Sequence, residues 1–418
     1  MPTPPTQADE PPRLTRFAAW GLALTATLTM AVSYVDRQTL AAIAPSVQKA
    51  LGFEGNEYLY SLLGSAFAVA YLVGAPLAGR IIDRVGARRG LLGAVLIWSL
   101  VAALHAVAPG FGVLLGMRVL LGLAEAPSFP AAAQTVQRAL PPADRARGFG
   151  VLFTGSSIGA AIAPPLATWL ADRWSFRAAF LGTALVGLLW IPLWLSLAFT
   201  KPARAALDRN FERPPLQLVA HPAVLRMLVG VVAAAPLLTF VYQWATKYLV
   251  RDHHLTQRQA GNLLAFPPIF FDLGAIAFGH LASRARGSAN GRAEGVPRPL
   301  YAAAAMFMLA GAAIPFGSTP NQAIAATCLV MMGGGGMYAL GMSDMAVRVP
   351  PGMISAAGGM GAAAQSVAQI ATNFAIGASV TATGNYTFIV VALAAWVIPG
   401  ALAWLVWRPP PPHPEDDA

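Results

Sequence analysis

Gly79-Arg80-Ile81-Ile82-Asp83-Arg84-Val85-Gly86-Ala87-Arg88-Arg89 is a basic, glycine-punctuated loop between two apolar runs, and it has an echo. Two hundred residues later Gly279-His280-Leu281-Ala282-Ser283-Arg284 closes another apolar run in the same way. A repeat of this kind predicts a duplicated membrane chain. Crossing a bilayer takes about 20 apolar residues, and on that ruler twelve spans follow: Phe17 to Pro45, Tyr58 to Gly79, Gly90 to Val107, Phe111 to Val136, Gly148 to Leu170, Ala178 to Phe199, Ala223 to Val250, Ala260 to Ala282, Leu300 to Phe316, Asn321 to Met345, Met353 to Val380 and Tyr386 to Trp407. The longest polar connection, Thr200 to Pro222, falls after the sixth span. The expected fold is therefore an all-α membrane protein: an N-terminal bundle over 17–199, a linker over 200–222 and a C-terminal bundle over 223–407.

The composition agrees. Of 418 residues 56% are hydrophobic and 11% charged, and mean hydropathy is +0.57, which places the chain in the membrane class. The Pro-rich tails, 1–16 and 408–418, read as disordered. The first apolar run is too long for a signal-peptide core and lacks a cleavage site, so it is expected to stay as a span. One cysteine, Cys328, and six histidines without clustering argue for neither a disulfide framework nor a metal site. The net charge of +10 needs no nucleic acid. Lysine and arginine collect in alternate loops, at Arg80, Arg84, Arg88, Arg89, Arg138, Arg145, Arg147, Lys201, Arg204 and beyond, whereas the opposite loops hold few. By the positive-inside rule both termini are cytoplasmic.

The opening stretch resembles the loop two-three signature of the major facilitator superfamily, departing from it at Ala87, where many members carry a basic residue. Further stretches are similar to the anion:cation symporter branch, and within it to hexuronate and galactonate transporters: Tyr34-Val35-Asp36-Arg37-Gln38, Arg118-Val119-Leu120-Leu121-Gly122-Leu123-Ala124-Glu125-Ala126-Pro127-Ser128-Phe129-Pro130, and Gly155-Ser156-Ser157-Ile158-Gly159. The likeness is strongest from Tyr34 to Trp194. It implies two six-helix bundles around a central site, alternating access, and proton-driven uptake of a carboxylate through a bacterial inner membrane. It implies no cofactor beyond the proton gradient. A monomer is expected, with the substrate anion, the proton and the bilayer as its partners.

Charges inside spans are expensive and functional by default. Arg37 and Arg118 each lie twenty residues from the cytoplasmic ends of their spans, counted from Phe17 and Arg138, and so should share a depth. Two planar guanidinium forks suit a carboxylate, and they are assigned to substrate binding; the competing reading is that each neutralises a neighbouring acid, with Asp36 the obvious partner for Arg37. Glu125 follows Arg118 by two turns, about 10.5 Å, too far for a static pair. Glu125 is the first choice for the coupling proton and Asp36 the second, in line with the family's acids. Tyr34, Tyr71 and Ser156 match family substrate positions, with Gln365 as a further hydroxyl reader; each could equally be helix glue.

In the second half Asp272 is an oddity, lining the cavity or capping a helix broken at Pro267 and Pro268, with structure the favoured reading. Tyr242, Gln243, Trp244 and Lys247 are candidates for the C-terminal wall. Gly79, Asp83, Arg84, Gly86 and Arg88, with Arg145 and Arg147, are expected to gate the cytoplasmic side through charge pairs between bundles, or else merely to set topology. Gly333 to Gly336, and Gly358, Gly359 and Gly361, allow close helix approach. An exporter on the same fold is the alternative function. It is disfavoured because Gly159, Ala163, Pro164 and Pro165 lack the final glycine pair of drug antiporters. No nucleotide loop, metal spacing or nucleophile motif suggests an enzyme.

Overall fold

The computed structural model describes residues 14–208, 221–288, 295–350 and 354–408, and among these every regular element is a helix. Eleven stretches of the described residues are long and apolar enough to cross a bilayer: Arg16–Ala42, Glu57–Ile82, Ala87–Val107, Phe111–Ala139, Arg147–Arg173, Phe176–Ala198, Pro222–Asp252, Gln257–Ala285, Arg298–Phe316, Pro320–Ala346 and Thr387–Val406. The remaining expected span, the eleventh, falls on the 30-residue helix Ile354–Thr383. Most of each tail, and 209–220 of the linker, lie outside the described residues.

Two bundles are visible in the packing. Span one lies on five and six, two on four, and three on four and six; span seven lies on ten, eleven and twelve, eight on ten, and nine on ten and twelve. The bundles meet where span two packs on eleven, five on eight, and one on seven. With no hydrophobic force between helices in lipid, close approach depends on small residues. A methyl at Gly155 would sit 2.3 Å from the Thr27 carbonyl oxygen, and one at Gly159 2.2 Å from that of Ala31, so spans one and five touch backbone to backbone. Gly122 does the same for spans four and two, against the Phe67 carbonyl. In span ten Gly333 faces Ala304 and Met308, Gly334 faces Leu238, and Gly335 faces Phe271, which lets one helix serve three neighbours.

Two interruptions matter to the site. The fourth span breaks at Ala126-Pro127, between helices Phe111–Glu125 and Ser128–Ala139, leaving Glu125 on the last turn of the first piece. The seventh carries a π-helical turn, Phe240–Trp244, a type of bulge found mostly at functional positions.

In the described residues the motif loop braces its own bundle. Gly86 ends the second helix at φ +83°, a left-handed conformation that suits only glycine at little cost. Arg88, 3% exposed, then grips Asp208 with two donors, Nε at 3.2 Å and Nη2 at 2.6 Å, and packs on Phe199. Arg138 donates to the Leu207 carbonyl. Both clamp the short helix Lys201–Leu207 to the first bundle.

Candidate functional site

The face carrying the start of span one, the motif loop and the linker helix is the loop face; its opposite is the far face. Phe67, ten residues into span two from the far face, marks the depth of the first bundle's charges, about 15 Å down that helix. The Arg37 and Arg118 guanidinium carbons lie 5.1 and 4.8 Å from its ring centre. The two arginines therefore stand at one depth, as the residue count predicts. Arg37 also lies over Tyr71 at 4.5 Å and Tyr34 at 5.2 Å, and aromatic faces attract a desolvated cation.

The carboxylate that neutralises Arg37 is not its neighbour Asp36. Successive helical side chains diverge by about 100°, and Arg37 Nε instead donates to Glu125 Oε2 at 2.5 Å, where Ser33 Oγ also donates at 2.8 Å. Glu125 is fully buried and its Oε1 has no partner. Asp36, 3% exposed, points the other way toward Trp98, with neither oxygen hydrogen-bonded. The reading of Asp36 as a permanent arginine partner is thus corrected.

Arg118 differs from every other buried arginine described. It is 1% exposed, its one hydrogen bond is a 3.5 Å contact from Nε to the Leu63 carbonyl, and Nη1 has no partner. No carboxylate lies within ion-pair distance of it among the described residues. By contrast, buried Arg226 and Arg348 are both held by Asp344, near the loop face of the second bundle.

Tyr34, Tyr71 and Ser156 are half-buried, and the Tyr34 hydroxyl meets Ser156. The glycines flanking Ser156 explain that contact: Gly155 and Gly159 hold span five against span one. From the second bundle Tyr242 stands among Tyr34, Asp272 and Tyr338. Asp272 caps nothing. It accepts from Ser157 at 2.7 Å across the bundle interface, so the capping reading gives way to a bridge between the bundles. Gln365 is half-buried, and no hydrogen bond places it with the arginines; Asn373, two turns on, instead accepts from Trp244 Nε1 at 3.0 Å and lies against Gly64.

Contacts between the bundles lie from Asp272 outward to the far face. Lys247 donates to Glu57, Tyr60 to the Gln243 carbonyl at 2.5 Å, Ser46 to Gln257 at 2.9 Å, and Arg258 to Asp172 at 3.0 Å. The space left between Gln38, Pro164, Tyr242 and Pro267 is about 20 Å³, roughly one water. Lys247 is therefore a far-face closure residue more than a chamber wall. At the loop face the motif residues stay within their own bundle among the described residues: Arg145 donates to Leu140, Arg147 lies 3.9 Å from Asp144, and Arg84 is exposed. The side chain of Asp83 lies outside the description. Among the described residues the polar contacts between the bundles thus close the far half.

Sequence reasoning passed over Glu57, Asn373, Asp208 and the Asp344 cluster. The one local signal each offers is weak: Asn373 is an amide within an Ala-rich span, and Glu57 sits at the edge of an apolar run.

The profile of the Major Facilitator Superfamily matches residues 26–372. The chain is 28% identical over 280 residues to a D-galactonate transporter of Escherichia coli, covering 61% of this chain and 65% of that one. It is 29% identical over 260 residues to a hexuronate transporter of Bacillus subtilis, covering 60% and 61%. The chain thus spans somewhat under two thirds of the length of these curated relatives. A probable galactarate/D-glucarate transporter of Bacillus subtilis is 23% identical and matches over 93% of this chain and 91% of its own. Among solved structures, a bacterial homolog of the human lysosomal transporter Spinster, inward-facing and unoccupied, superposes with a TM-score of 0.75 at 15% identity, covering 95% of this chain and 100% of that one.

Proposed function

As the chain belongs to the Major Facilitator Superfamily, we propose that it is a proton-coupled symporter that carries a small organic anion, a sugar acid such as an aldonate or hexuronate, into the cell by alternating access. The observation that carries this is Arg118: a buried guanidinium with no carboxylate at ion-pair distance among the described residues needs an anion to complete it. Arg37 also lies against the Phe67 ring, at the same depth, but its Nε is held by Glu125. A proton arriving on Glu125 cancels that attraction and frees Arg37 to join Arg118 on the substrate carboxylate. Proton and anion then load together, which is the coupling. Asp36, buried behind them, is the second proton-accepting group.

The transporter sits in the bacterial inner membrane with its loop face, and so both termini, in the cytoplasm, by the distribution of basic loop residues. In that orientation the far face, closed by the contacts between the bundles, is the periplasmic one. The motif residues Gly79, Asp83, Arg84, Gly86, Arg145 and Arg147 act when that face closes. Arg88 reaches the gate only through the linker helix it holds. The carrier works as a monomer and uses the proton gradient in place of a cofactor.

The test is transport in proteoliposomes. Glu125→Gln is expected to exchange labelled substrate in counterflow while losing accumulation driven by a pH gradient. Normal accumulation by that variant would remove Glu125 as the proton site.

A further inference from the structure

Among the described residues the second bundle offers the chamber an acid and no base. Its described cations are committed elsewhere: Arg226 and Arg348 on Asp344, Lys247 on Glu57, and Arg258 on Asp172, while Arg251 bonds the Gly384 carbonyl at the far face and Arg284 and Arg298 are exposed at the loop face. What the wall does present is Asp272 near Tyr242, whose hydroxyl also stands near those of Tyr34 and Tyr338. Tyr338 has no hydrogen-bond partner for its hydroxyl, and Asp272 takes only one bond, from Ser157. The chamber is thus polarised, with two guanidinium groups at one end and one carboxylate at the other. The same turn of span five serves both ends, Ser156 toward Tyr34 beside Arg37 and Ser157 toward Asp272.

Resting on the anion-carrier reading above, we propose that Asp272 is a specificity-determining residue that selects polyhydroxy monocarboxylates over dicarboxylates: the carboxylate end of the cargo meets Arg37 and Arg118, and its hydroxyl-rich tail donates to Asp272. A hydroxyl is a donor that an acceptor-only carboxylate welcomes. A second carboxylate brings a like charge to a wall with no cation to answer it, in a region where charges are weakly screened. Exclusion of the diacid is therefore built from repulsion, as specificity often is. The polar link through Ser157 also means that a tail displacing Ser157 from Asp272 disconnects the innermost bond between the bundles.

The experiment is calorimetric titration of the full-length carrier in nanodiscs at pH 7 with galactonate, one carboxylate, and galactarate, two carboxylates on the same carbon skeleton. The wild-type protein is expected to prefer galactonate by at least about tenfold. Asp272→Asn should narrow that ratio to within about threefold by strengthening galactarate, and Asp272→Glu, which restores the charge, should restore the preference. Ser157→Ala, which removes the hydroxyl but not the charge, should keep it. An unchanged ratio in Asp272→Asn with galactonate still bound would overturn the role of Asp272 and leave the arginine site standing. Failure of the wild-type protein to bind either acid would overturn the anion reading and this inference together.

Discussion

Lys247 of the seventh span donates to Glu57 of the second, and both side chains are less than a tenth exposed. The pair joins the two bundles near the far face, roofed by Tyr60 and Trp244, whose rings lie 4.6 and 5.7 Å from the ammonium. Removing one partner of a buried pair strands the other charge at a cost of about 3–5 kcal/mol. That penalty applies only while the far face is shut.

Glu57→Gln is therefore expected to move the population toward the outward-open state. Cys328, buried, is the sole cysteine, so Cys328→Ser gives a clean background in which Ser61→Cys, against Gly377 in the closed interface, reports opening. Its labelling by a membrane-impermeant maleimide should rise severalfold in Glu57→Gln, and the double exchange Glu57→Lys with Lys247→Glu should bring it back down. Equal labelling in all three proteins would mean that the pair does not hold the face shut.

Arg118→Lys keeps the charge but loses the planar fork. Sugar-acid affinity, read by calorimetry, is expected to fall by at least about tenfold. Retained affinity would take Arg118 out of the carboxylate clamp.

Gly159→Leu forces a side chain into the Ala31 carbonyl, 2.2 Å from where its Cβ would sit. Overpacking of this kind costs about 1–3 kcal/mol. A lowered unfolding temperature and lost uptake are expected together, whereas the same change at Gly79, which faces open space, should leave the unfolding temperature nearly unmoved.

Asp208→Asn removes the charge that Arg88 grips from the linker helix. An unpaired buried donor costs about 1–3 kcal/mol. Thermal stability should drop by that order with substrate affinity intact, and a matching loss of affinity would show that the clamp reaches the chamber.

Much of this was legible in the residue order because a bilayer imposes length and polarity rules that a single chain must obey. Counting from span ends placed Arg37 and Arg118 level, and they lie 5.1 and 4.8 Å from the centre of the same Phe67 ring. Pairing was harder. Adjacency suggested Asp36 for Arg37, but helical rotation sends the two side chains apart, and the break at Ala126-Pro127 sets Glu125 in reach instead. Contacts between bundles, such as Glu57 with Lys247 and Ser157 with Asp272, join residues 190 and 115 positions apart. No local pattern encodes such a distance. The Arg88 clamp escaped notice for a similar reason, since its acid lies across a whole bundle in the sequence.

Gly155 and Gly159 weld span one to span five, Gly122 welds span four to span two, and span one packs along the second half of span four. On the proposed carrier reading, arginines mounted on these packed spans keep their spacing through the cycle, so the cargo's charged head is not let go by the guanidiniums drifting apart. Departure then begins at the opposite end, with the tail shed first as the other wall swings clear, and the head following once Glu125 gives up its proton and reclaims Arg37.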